Sequence, residues 1–109
     1  MKVEIFIKPP VLNRVNILLS KLQFENTTEG KIQLSIAKTV ALQFARKSFS
    51  LLGKDKSKQY KITVEYHEAE LLERKLRFKA NLDRELLQLD QDDYYLIINF
   101  CNYLNQKLT

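Results

Sequence analysis

The sequence predicts a small α+β domain, a two- or three-stranded sheet covered by three to four helices. Three observations predict it. Two short segments, 3–7 and 60–66, alternate apolar and polar residues, whereas the longer segments space their apolar residues helically. The chain holds only two Gly and two Pro, too few turn-formers for the many short strands of a sandwich or barrel. Its 109 residues, 45% apolar and 28% charged, suit one core, so a single compact domain over 1–109 is expected.

Val3, Ile5 and Ile7 alternate with Glu4, Phe6 and Lys8, the pattern of a strand with one buried face. Pro9-Pro10 ends it and is suited to open the next helix, where a missing N–H removes no bond. That helix, about 10–23, places Val11, Leu12, Val15, Leu18, Leu19 and Leu22 on one face. Asn13, Arg14, Asn16, Ser20 and Lys21 take the other. Thr27 or Thr28 is suited to cap the second helix, about 31–52, which ends at Gly53. Its apolar face is Leu34, Ala37, Val40, Ala41, Phe44, Leu51 and Leu52.

Tyr60, Ile62, Val64 and Tyr66 alternate with Lys61, Thr63, Glu65 and His67 in a second strand, whose natural partner is the first. The segment 68–89 supports two readings. As a helix it pairs Glu70 with Arg74 and Glu73 with Arg77. Leu71, Phe78, Leu82 and Leu89 then line one flank, and Leu72, Leu76, Ala80 and Leu87 the adjacent one. Yet Leu76, Phe78, Ala80 and Leu82 also alternate with polar residues, and 75–82 would then be a third strand. Length and the charge pairs favour the helix. In the last helix, about 92–107, Ile97, Phe100, Cys101, Leu104 and Leu108 share a face. Asp90, Asp92 and Asp93 stand at its positive end.

Charge is divided along the chain. Met1 to Lys61 carries twelve Lys/Arg against four Asp/Glu, and Ile62 to Thr109 six against nine. The cationic excess concentrates at Arg46, Lys47, Lys54, Lys56, Lys58 and Lys61, with Asp55 alone among them. Just before it, Lys38, Leu42, Arg46 and Phe49 recur at helical spacing opposite the buried face, with Ala45 beside them. Such a stripe is either a second core face or a binding surface. In the latter, cations meet phosphates or carboxylates while Leu42 and Phe49 act as apolar anchors. Tyr95, Leu96 and Tyr103 fall off the main face of the last helix and form a second candidate, a protein interface.

No catalytic residues are expected. One Cys and one His leave no zinc pattern and no nucleophile–base pair, and the glycines spell no phosphate loop. His67 near Glu65, Glu68 and Glu70 is half of a metal site at most, so no metal or cofactor is assigned. Lone Cys101, on an apolar face, fits a buried thiol in a reducing compartment. A short, charge-broken N-terminal apolar run and no long apolar segment lead to an expected cytoplasmic location without membrane contact. The expectation is a non-enzymatic binding module whose basic corner, 46–61, contacts a polyanion, foremost DNA or RNA backbone. The alternative is a protein-interaction module that binds an acidic protein surface or self-associates as a homodimer.

Overall fold

The computed structural model describes residues 1–86 and 88–109. In chain order the elements are β1 (Lys2–Ile7), α1 (Pro9–Leu19), α2 (Thr28–Ser50), β2 (Tyr60–Glu65), α3 (Tyr66–Glu85) and α4 (Gln91–Leu108). The α+β class is as the periodicity predicts: the described residues form four helices and one antiparallel two-stranded sheet. The segment 75–82 is helical, so there is no third strand among the described residues. Leu87, expected on a flank of the third helix, lies outside the described residues.

The strands pair in a register running from Lys2 opposite Glu65 to Ile7 opposite Tyr60. Val3, Ile5, Ile7, Ile62 and Val64 therefore face the helices and are buried. They join Leu12, Val15, Val40, Phe44, Leu76, Ile97, Cys101 and Leu104 in one apolar cluster. A strand pair leaves two open edges, and each is met by one helix side chain. The Tyr103 hydroxyl of α4 accepts from the Phe6 N–H at 2.9 Å, and the Gln43 amide of α2 donates to the Thr63 carbonyl at 2.8 Å.

Local chemistry sets the element ends. Pro9 and Pro10 occupy the first turn of α1, which stops at Leu19 rather than near residue 23. There the Ser20 N–H bonds back to the Asn16 carbonyl and the Lys21 N–H to that of Leu18, while the Ser20 hydroxyl donates to the Ile17 carbonyl at 2.6 Å. Thr27, not Thr28, caps α2 by accepting from the Gly30 N–H at 3.0 Å. At the entry to α3, Glu68 accepts from the Glu65 N–H at 2.8 Å, the reciprocal arrangement of a capping box. That helix ends at Glu85, where the Gln88 N–H returns to the Asp83 carbonyl at 2.8 Å. Asp90 caps α4 by accepting from the Asp93 N–H at 2.8 Å.

α3 lies at the centre, against α4, α2, α1 and both strands. Leu72, Leu76 and Ala80 enter the core, while Phe78 and Leu82, expected to line a buried flank, are exposed. Glu73 and Arg77 pair at 2.8 Å, but Glu70 and Arg74 do not come into contact. A pair the spacing analysis did not single out, Lys79 with buried Asp83 at 3.0 Å, takes their place lower on the helix. Polar links tie the remaining helices. Tyr94 donates to Asn81 and Arg77 to Asn102 between α3 and α4. Asn16, expected on the outer face of α1, is half-buried and donates to the Phe44 carbonyl of α2 at 3.4 Å.

Candidate binding surface

α2 is a flanking helix. It packs on α1 and α3, and Gln43 reaches β2 from one side. Val40, Phe44 and Leu51 are buried, and the opposite face is exposed. Leu42 is 52% exposed and Phe49 77%, so both lie on a free surface and not in a second core face. Leu52, expected in the buried face, is 71% exposed and extends that surface past the helix end. Lys38, Ala45 and Arg46 are exposed with them.

The chain then turns through 51–59. Lys54 N–H donates to the Leu51 carbonyl at 3.0 Å, and Gly53 sits within that turn at φ 79, where a side chain would be strained. Gly53 thus acts two residues beyond the capping Leu51, not as the cap itself. The Asp55 carboxylate accepts from the Ser57 hydroxyl at 2.7 Å and from its N–H at 2.9 Å. Those bonds, the hydroxyl one foremost, hold its pKa below the ordinary carboxylate value. The Tyr60 hydroxyl donates to the Asp55 carbonyl at 3.1 Å. A loop of alternating lysines is therefore bracketed by its own acid, and that acid is turned to Ser57.

The expected cations separate into two groups. Lys38, Arg46, Lys54, Lys56 and Lys58 are exposed, and among the described residues none forms an ion pair. Lys61 instead lies on the outer face of the sheet and pairs with Glu4 at 3.9 Å. Lys47 is half-buried in the last turn of α2, where its positive charge is favoured by the negative end of the helix dipole.

The second candidate does not form one surface. Leu96 and Tyr103 line a cleft of about 300 Å³ between β1 and α4, with Phe6 and Phe100. Tyr103 is engaged there, stacked on Phe100 with centroids 6.4 Å apart and bonded to Phe6. Tyr95 lies elsewhere, edge-on to Tyr94 and beside the Arg84 guanidinium.

One feature escaped the sequence reading. Phe24, Gln33, Arg74, Lys75 and Phe78 line an open cleft of about 530 Å³, with the Lys75 ammonium 5.0 Å from the Phe24 ring centre. Three separate segments build it, so no local pattern signals it. Glu65 and Glu68 cap α3, leaving His67 and Glu70 exposed beside them. Among the described residues no group of three His, Cys, Asp or Glu is placed to hold a metal ion. Cys101 is fully buried, and loss of solvation pushes its pKa up to about 12. No helix of the described residues is long and apolar enough to cross a membrane.

The chain matches no protein-family model, no curated protein and no solved structure. Its function has to be argued from the surface itself.

Proposed function

We propose that this protein is a non-enzymatic binding module that docks on an acidic protein surface through the outer face of α2 and the turn that follows. The observation that carries the reading is the pairing of exposed Leu42, Phe49 and Leu52 with exposed, unpaired Lys38 and Arg46 on one side of one helix. An apolar strip rimmed by charge is the usual makeup of a protein interface. Burying its side chains supplies affinity, about 25 cal/mol per Å² of apolar area before association costs. The cations select the sign of the partner and speed encounter.

A second reading, contact with DNA or RNA backbone, is favoured by one observation: Lys54, Lys56 and Lys58 sit in a bracketed turn beside exposed Phe49. Lysines position phosphates, and an aromatic ring stacks on bases. The aliphatic side chains weigh against it. Leu42 and Leu52 gain nothing from phosphates, whereas both gain from an apolar protein partner.

Amide chemical shifts during titration test the two together, with polyglutamate, single-stranded DNA and duplex DNA at low and moderate salt. Polyglutamate is expected to perturb residues 38–58 more than either nucleic acid does at the same salt. Stronger perturbation by nucleic acid transfers the surface to the second reading. Perturbation of 38–58 by none of the three overturns both.

A further inference from the structure

We infer that the outer face of α2 is a helix-docking seam whose partner is an acidic amphipathic helix of another protein. This rests on the protein-binding reading above and adds the partner's secondary structure and residue pattern. Within α2, Leu42, Ala45 and Phe49 follow one another at spacings of three and four residues, and Leu52 continues the strip in the turn beyond the helix end. Continued backwards, the same alternation meets Lys38 and Ser35, and all six are exposed. Spacings of three and four are those by which a helix face, a coiled-coil seam included, meets a second helix. Small Ala45 between Leu42 and Phe49 leaves a hole of the kind a partner's side chain fills.

Charge decides what occupies the seam. From Lys31 to Leu52 there is no Asp or Glu, while Lys38 lies within the seam, Arg46 beside it, and Lys54, Lys56 and Lys58 beyond its end. A second copy is the wrong partner. Parallel pairing sets Arg46 against Arg46, and antiparallel pairing still finds no carboxylate in the stretch. Of the three acids at the start of α4, Asp90 is a helix cap and Asp93 pairs with Arg14 at 3.2 Å, which leaves exposed Asp92 as a single carboxylate against the run of cations. The strip is also small. The sixteen helical residues from Ser35 to Ser50 give about 24 Å by about 10 Å, well short of the roughly 800 Å² per partner of a stable interface, so the partner has to reach over the lysine turn as well. A helix carrying apolar residues at the complementary spacing, acids on its flanks and further acids over the lysine turn gains from every one of these features.

Fluorescence anisotropy with the full chain and three labelled peptides of about 21 residues tests this. The first has a leucine heptad seam flanked by Glu, the second is the same composition scrambled, and the third has Lys in place of Glu. Polyglutamate and the double variant Leu42→Ser/Phe49→Ser are run alongside. Both substitutions lie on the exposed face, so circular dichroism is expected to be unchanged. The first peptide is expected to bind at least ten-fold tighter than the other two, and the variant to lose at least ten-fold. Equal binding of the scrambled peptide, or equal binding by the variant, overturns the helix while the acidic-partner reading stands. Binding of polyglutamate but not of the first peptide has the same meaning. Binding of none overturns both. A dimer in sedimentation that the variant abolishes would assign the seam to a second copy and overturn the proposal.

Discussion

Replacing Gly30 with alanine sets helix propensity against packing, and the two predict opposite signs. Gly30 lies in the first turn of α2, where alanine is favoured over glycine by about 0.8–1.0 kcal/mol. Its backbone does not need glycine's positive φ, so propensity alone predicts a more stable protein. The structure predicts the reverse. An added Cβ would stand 2.0 Å from the carbonyl oxygen of Glu25 and 2.8 Å from its carbonyl carbon. Both atoms belong to the backbone of the loop between α1 and α2, which cannot step aside as a flexible side chain would. Overpacking of this kind costs about 1–3 kcal/mol, and a displacement beyond 1 Å belongs at the upper end. The net expectation is a loss of about 1–2 kcal/mol, or roughly 4–15 °C in Tm. Urea unfolding followed by helical circular dichroism measures it, with Ser35→Ala on the exposed face as the control for propensity alone. A Gly30→Ala midpoint equal to or above that of the parent protein would refute the packing argument.

Lys79→Met leaves the buried Asp83 carboxylate without its 3.0 Å partner, and the expected loss is about 3–5 kcal/mol. Lys79→Met/Asp83→Leu should recover most of it in the same urea assay. Cys101 has a folded pKa raised to about 12 from an ordinary 9.0, so its contribution is complete below pH 9 and declines as pH rises toward 12. Alkaline unfolding of Cys101→Ala should therefore show a shallower pH dependence than the parent protein, and a thiol reagent should react only with unfolded chains. Asp55 has a lowered pKa, so its contribution is present above about pH 4, the unfolded value, and is lost as pH falls through its folded pKa. The Ser57 amide resonance should follow that titration in the parent protein and be insensitive to it in Asp55→Asn.

The strands were legible because each shows one apolar face to one core, and Val3, Ile5, Ile7, Ile62 and Val64 are buried as their alternation requires. The segment 75–82 was ambiguous for a physical reason. A strand would bury Leu76, Phe78, Ala80 and Leu82 together; the helix buries Leu76 and Ala80 and leaves Phe78 67% exposed. Apolar residues on an outward face imitate strand alternation. The same cause left the stripe on the second helix open to two readings, since exposed Leu42 and Phe49 look in sequence like a second core face. Composition located the cations but not their pairing. That Lys61 meets Glu4, and that Asp55 turns to Ser57 and not to a neighbouring lysine, depends on cross-strand register and turn geometry.

The pairing of Lys2 with Glu65 has a consequence for the order in which the protein assembles. The first and second helices can form from contacts close in sequence, but β1 has no partner until most of the chain exists. At translation rates of about 5–20 residues per second, it waits roughly 3–12 s on the ribosome. Throughout that interval Val3, Ile5 and Ile7, buried in the folded protein, lack the strand they pair with. Closing so long a loop is also the slowest kind of step available to a chain of this size. Substitutions that weaken β2 should therefore slow refolding more than equally destabilising changes within α4, and chaperone capture of nascent chains should concentrate on the first seven residues.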